Sequence, residues 1–241
     1  MITPGEILEN LSYLIMVRDE AGNLVYCNKM IDEIDWSSLE KIGARAMPSK
    51  DGKTYYATSY RTKLPLSFDP LTGLLEKNCF QNEIKELTKV CALSHQSYVV
   101  AFGDLDHFKQ INDSIGHLKA DQILKRVAEI IKKNIRSDDF ASRFGGDEFL
   151  IALKNVGLPE GYKKIEQIRK EIEELEYREV DLHGNPIRIV VQTSFGIAQY
   201  EAGKTALEVM HDADMALYDA KQGGRDRVTP FTGRKENYLE R

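Results

Sequence analysis

The chain is poor in cysteine and tryptophan, with three and one in 241 residues, and no apolar run approaches the roughly 18 residues of a membrane-spanning helix. Cys27, Cys79 and Cys91 are odd in number and lack metal-ligand spacing. That excludes a disulfide scaffold and a zinc module, and it fits a reducing cytosol. An excess of positive charge is also absent. The net charge of −5 argues against generic nucleic-acid binding. The opening MITPGEILENLSYLIMVRDEAG has neither the basic start nor the small-residue cleavage site of a secretory signal. The expectation is a cytoplasmic protein with no membrane segment. What is present is ordinary for a globular fold: 42% apolar and 29% charged residues, enough for one large or two small domains.

Residues 12–28 read as strand, Gly-Asn turn, strand, and 51–62 as a further hairpin arm. The stretch between, around Trp36, reads as helical or irregular. VRDEAGNLVYCN resembles the opening of a PAS sensor domain, although about 60 residues is short for enclosing a ligand cavity. Trp36 and Cys27 are candidate pocket residues, with a plain mini-core as the commoner role of such side chains. The prolines and glycine of KLPLSFDPLTGL mark a boundary, giving a front domain over 1–63.

From residue 64 to 229 strands and helices interleave. Helices are predicted at 75–93, 107–115, 118–135, 159–176 and 205–222, and strands at 97–106, 142–153 (a hairpin) and 187–198. The order β-α-β-β-α-β gives an α+β fold of ferredoxin-like, nucleotide-cyclase palm type. Residues 230–241 read as a polar tail.

Two acidic clusters carry the chemistry. SRFGGDEFLIAL reads as a hairpin whose glycines permit positive φ and whose tip exposes Asp147 and Glu148. VVAFGDLD ends an apolar strand in Asp104 and Asp106. Antiparallel pairing of the two segments brings Asp104 and Asp147 within about 5 Å. Carboxylates that close repel unless a cation lies between them, and oxygen donors with room for water and phosphate suit Mg²⁺. Asp106 precedes HFKQIN and reads as the N-cap of that helix, with direct catalysis as the other reading.

DPLTGL, DLDHFKQINDSIGH, RFGGDEF and YDAKQGGRDR, in that order, resemble the GGDEF family of diguanylate cyclases over residues 68 to about 229. The resemblance implies condensation of two GTP into cyclic di-GMP across a homodimer, with two pyrophosphates released. It implies Mg²⁺ (or Mn²⁺) on Asp104, the Leu105 carbonyl and Asp147, with Glu148 on the metal or drawing the proton from the 3′-OH. It places the terminal phosphates on backbone amides around Phe108 and Lys109, with charge from Lys109, Lys221 and Arg225. It assigns guanine to Asn112 and Asp121. A carboxylate accepts from guanine N1–H and N2–H₂, whereas adenine N1 carries no proton there. Finally, Arg136 and Asp139 of RSDD match the family's RxxD inhibitory product site, nine positions before Gly145.

The chain departs from the family pattern at Ala120, where Gly is usual, and at Glu76-Lys77, where Asn-Arg is usual. Lys163, Gln167 and Arg169 are candidates for a further inhibitory-site residue. One rival reading is a receptor that binds cyclic di-GMP without turnover; no residue that the resemblance assigns to catalysis is missing here. Another is a cyclase joining GTP to ATP, against which Asp121 argues.

Overall fold

A computed structural model describes residues 13–27, 39–48, 53–62, 66–94 and 96–233. The chain divides into two compact units, Met1–Pro65 and Leu66–Arg241.

In the first unit β1 (Tyr13–Arg18), β2 (Leu24–Cys27), β3 (Leu39–Pro48) and β4 (Thr54–Thr62) form an antiparallel sheet in the order β2-β1-β4-β3. The β1–β2 turn is built by Asp19, whose carboxylate accepts the Asn23 amide at 2.8 Å and the Asn23 side chain at 3.0 Å. Those bonds hold the Asp19 carboxyl below its usual range. The expectation of helix or irregular chain before residue 50 fails over LEKIGARAMP, which is a strand. Ala and Lys lend that stretch helical propensity, and pairing along β4 overrides it. Trp36 lies outside the described residues, and so does the tail beyond residue 233.

The second unit holds a mixed six-stranded sheet in the order β12-β11-β6-β8-β7-β5. Its strands are β5 (Leu75–Glu76), β6 (Tyr98–Leu105), β7 (Phe140–Arg143), β8 (Glu148–Lys154), β11 (Thr193–Gln199) and β12 (Val228–Pro230). The four central strands are antiparallel, and β5 and β12 add parallel edges. Apolar residues run without a break along β6 and β8 because both faces of the sheet are covered. Alternation then sorts the side chains. Val99, Ala101, Phe149 and Ile151 meet α3 (His117–Asn134) and α4 (Leu158–Glu173) on one face. Tyr98, Val100, Phe102, Leu150 and Ala152 meet α1 (Lys77–Ser94) and α5 (Ala206–Gln222) on the other. Gly196 admits α5 to the sheet: a Cβ there would lie 2.0 Å from the Leu217 backbone nitrogen.

One predicted strand divides. Over 187–198 the chain forms β10 (Pro186–Val190), then breaks at Val191-Gln192 before β11. Among the described residues β10 pairs only with β9 (Glu176–Val180), in a separate two-stranded hairpin. The uninterrupted IRIVVQTSFGIA hides the break, because side chains of both pieces are apolar on the buried side.

Candidate active site

The strands β6 and β8 run antiparallel with Asp104 opposite Glu148, and the Leu105 amide donates to the Asp147 carbonyl at 3.2 Å. Two separate apolar strands thus deliver Asp104, Asp147 and Glu148 to one end of the sheet. Lys221, in the last turn of α5, reaches this cluster, its Nζ lying 2.9 Å from Asp104 Oδ2. Burial is the largest effect on Asp104 and raises its pKa. The Lys221 ammonium opposes that rise, and neighbouring Asp147 and Asp106 reinforce it. Glu148 is raised first by burial, then by Asp104 and Asp147. Neither Asp147 nor Glu148 is exposed as a hairpin tip would be; both are half-buried, because the turn folds back on the sheet end.

The two glycines also act differently from expectation, since neither adopts positive φ. Gly145 instead lies close to the free end of a side chain: a Cβ there would meet Glu148 Oε2 at 2.3 Å, and the carboxylate would have to shift. The Glu148 carboxylate therefore rests against the turn's own backbone. Arg143 fixes the other side, donating from Nε and Nη2 to the Gly146 carbonyl at 3.0 and 2.7 Å. Its Nη1 reaches Asp69 Oδ2 at 3.5 Å. Asp69 in turn organises DPLTG by accepting the Thr72 amide and hydroxyl at 2.8 and 2.6 Å. The Lys77 ammonium sits 4.0 Å above the Phe144 ring, so one of the Glu76-Lys77 departures flanks the Gly145-Gly146 turn. Gly145→Ala is expected to cut turnover by roughly tenfold to a hundredfold by displacing the carboxylate, while the protein melts as wild type does. Product formation and a thermal melt on the same preparation check it. Normal turnover would show that the Glu148 position is unimportant.

Directly after β6, His107 takes a left-handed φ of 58° and opens α2 (Phe108–Ile115) without a side-chain cap. The amides of Gln110 and Ile111 already bond to the His107 carbonyl. Those of Phe108 and Lys109 precede them at the open end of the helix, where no intrahelical carbonyl serves them. Phe108 packs on the core, and Lys109 is exposed. Asn112 stands one turn further on, and Asp121 is in the second turn of α3; both are half-buried. Ala120, at the position of the other departure, is a core residue only 1% exposed.

Asp106 does not cap α2. Only 5% exposed, it turns inward and accepts the Ser194 hydroxyl at 2.8 and 3.0 Å and the Asp226 amide at 3.0 Å. Its own amide donates to the Gln192 carbonyl at 2.9 Å. Arg225 lies in the loop after α5, with Nε 3.9 Å from Asp106 Oδ1. The helix ends at Gln222, so Lys221 and Arg225 do not share a helical face.

Arg136 and Asp139 are elsewhere, in the link from α3 to β7. The Asp139 carboxylate accepts the Arg136 amide at 2.9 Å and the Lys154 amide at 2.8 Å. Of the candidates on α4, Arg169 is committed elsewhere. It is 7% exposed and bound by Glu166, Glu173 and Asp226. The sequence alone assigned no role to Arg143, Ser194 or Asp226. Arg143 and Asp226 lie inside RFGGDEF and YDAKQGGRDR, where neither had been given a role, whereas nothing local marks Ser194.

The donor set suits a hard divalent cation. Asp104, Asp147, Glu148 and the Leu105 backbone offer oxygen only, and the Asp147 carboxylate helps to raise the pKa of both Asp104 and Glu148. Among the described residues no group of three or more His, Cys, Asp or Glu is placed to hold a metal ion by side chains alone.

Residues 66–227 match the family described as "Diguanylate cyclase, GGDEF domain". The chain belongs to that family. Diguanylate cyclase DgcP of Pseudomonas aeruginosa is 33% identical over 179 residues, which cover 74% of this chain and 26% of that protein. Diguanylate cyclase A of Treponema denticola is 39% identical over 127 residues, 52% of this chain and 33% of that protein. This chain therefore spans well under half the length of either relative. The GGDEF domain of DgcB from Caulobacter crescentus, solved in complex with c-di-GMP, matches with a TM-score of 0.65 and 29% identity over 71% of this chain and 99% of that chain. Diguanylate cyclase SiaD from Pseudomonas aeruginosa, solved with its activator SiaC, matches at 0.63 and 33% identity over 68% and 61%. The fold is thus the GGDEF palm, an α+β fold with a mixed central sheet flanked by helices. No helix among the described residues is long and apolar enough to cross a membrane.

Proposed function

We propose that residues 66–227 condense two GTP molecules into cyclic di-GMP, each 3′-oxygen forming a bond to the other's α-phosphorus as pyrophosphate leaves. The observation that carries this reading is the meeting of Asp104, Asp147 and Glu148 at one sheet end, with Lys221 2.9 Å from Asp104. A bound Mg²⁺ (or Mn²⁺), held by Asp104, Asp147 and the Leu105 carbonyl, would supply charge neutralisation on the phosphates. The chain's own residues do the rest. Burial and neighbouring carboxylates raise the affinity of Glu148 for a proton, which fits it to take the one leaving the 3′-OH. The amides of Phe108 and Lys109, with Lys109 and Arg225, hold the terminal phosphates. Asn112 and Asp121 read guanine. Phosphoryl transfer needs positioning and electrostatics more than covalent help, and this arrangement offers both. The front domain, over 1–63, would serve as a short PAS-like sensor or dimerisation module.

One chain has one guanine site, yet the product contains two guanosines. Specific activity is therefore expected to fall as the protein is diluted below its dimer dissociation constant. The check is a dilution series with GTP and Mg²⁺, product identified by mass and oligomeric state by light scattering. Constant specific activity from a confirmed monomer would refute the two-chain site. A mixed guanosine-adenosine product would overturn the roles of Asn112 and Asp121.

A further inference from the structure

The loop after α5 carries Arg225 in a conformation that needs support. Arg225 and Asp226 are consecutive non-glycine residues at φ 64° and 45°. L-residues adopt that region at a cost, and such strain persists only where surrounding contacts over-determine it. Backbone bonds fix the loop's two ends: the Arg225 amide donates to the Ala220 carbonyl at 3.0 Å, and the Arg227 carbonyl accepts the Phe195 amide at 2.8 Å. The middle is held by Arg227 Nε, which donates to the Arg225 carbonyl at 3.0 Å, and by Asp226. Its amide donates to buried Asp106 at 3.0 Å, one carboxylate oxygen accepts Arg169 Nη1 at 2.6 Å, and the other accepts Gln192 Nε2 at 3.2 Å.

Neutralisation of Arg169 does not require Asp226. Glu166 already takes its guanidinium with two bonds of 2.9 Å, and Glu173 adds a third at 2.9 Å, all within α4. What Asp226 adds is a tie across 57 residues, from a rigid helix to the strained loop. Arg169 is 7% exposed and packed on α4, so it is an anchor with little freedom of its own. The same Asp226 backbone bond joins the loop to Asp106, directly between the metal-binding end of β6 and the phosphate-binding start of α2.

From this geometry we infer that Asp226, anchored by Arg169, is a positioning residue that aims Arg225 at the terminal phosphates of bound GTP. The inference rests on the reading of this site as a GTP site. Its effect is confined to the phosphate end of the nucleotide and acts through Arg225.

The test is calorimetric binding of α,β-methylene GTP and of GMP to the full chain in Mg²⁺. Asp226→Ala is expected to weaken the triphosphate analogue by about tenfold, the usual cost of a lost charge-assisted contact, and to leave GMP unchanged. In an Arg225→Ala background, Asp226→Ala should cost nothing further, because the residue it aims is gone. Equal losses for both nucleotides, additive losses in the double variant, or no loss at all would each overturn the inference. If Asp226→Ala does not fold, Arg169→Lys carries the test. It keeps the charge but cannot reach Glu166, Glu173 and Asp226 together, and unchanged analogue affinity in it would overturn the inference as well. Failure of the wild type to bind the analogue, or to make cyclic di-GMP from GTP, would instead remove the reading of the site itself.

Discussion

Asp104→Ala and Asp147→Ala are expected to abolish cyclic di-GMP synthesis, lowering turnover by roughly a hundredfold or more, without unfolding the protein. Turnover falls because both proposed carboxylate ligands of the ion are needed where charge accumulates in phosphoryl transfer. Stability follows a different logic. Burial and repulsion raise the pKa of Asp104 despite its contact with Lys221. A raised carboxylate pKa means that the ionised form costs the folded state more than the unfolded one. Removing the carboxylate relieves that cost, so the metal-free Asp104→Ala variant should melt at or above the wild-type temperature. A variant retaining near-normal synthesis would sink the metal assignment.

The same shift fixes the direction of a pH effect. Asp104 and Glu148 hold their protons more firmly folded than unfolded. As pH rises from the ordinary carboxylate value through the raised one, the folded state carries the excess protons, and stability falls. The contribution of the pair is therefore present at low pH and lost with rising pH, the reverse of a salt-bridged Asp. Urea midpoints of metal-free wild type and Asp104→Asn, measured from about pH 4 upward, should diverge in favour of the variant. Saturating Mg²⁺ should close that gap by stabilising only the wild type. Parallel curves would mean that repulsion at the sheet end has no energetic weight.

The meeting of these carboxylates was legible in the sequence because each acid terminates an apolar strand, and antiparallel pairing leaves few ways to join two such strands. Helices with a clear apolar stripe were equally legible; Ile123, Leu124, Val127 and Ile131 all face the core. What local pattern does not contain is a partner far along the chain. Asp106 looks like a helix cap because HFKQIN follows it, yet its carboxylate is claimed by Ser194, 88 residues on, and by the Asp226 amide, 120 residues on. Gly145 looks like a residue chosen for φ, but its φ is not positive and what lies against it is the Glu148 carboxylate. The hairpin of β9 and β10 escaped because its outward face is mixed. Its turn at Asp181, whose carboxylate accepts the His183 and Asn185 amides at 2.8 Å, was the available signal.

Arg136→Ala is expected to leave the initial rate of synthesis unchanged and to keep progress curves linear for longer. The motive is RSDD at its family offset, now seen in the link between α3 and β7 and not at the carboxylate cluster. Product bound there meets no residue assigned to GTP, so inhibition should be non-competitive. The two residues of the motif should also behave differently. Asp139 is part of the scaffold, since its carboxylate bonds the amides of Arg136 and Lys154. Replacing it with alanine leaves amides without their acceptor, at a cost of about 1–3 kcal/mol, and loosens the link whether or not product binds. The Arg136 side chain has no such duty to its own fold, so Arg136→Ala is the cleaner probe. Losing a bidentate charged contact weakens product binding by roughly tenfold to a hundredfold. Linkage adds a reciprocal requirement: if bound product disfavours the productive dimer, assembly of that dimer must weaken product binding by the same factor. The measurement is a full progress curve with GTP in excess, paired with calorimetric titration of cyclic di-GMP into each protein. If wild type and Arg136→Ala slow identically as product accumulates, Arg136 is only a solvated charge near the C-terminal end of α3, favoured there by the helix dipole.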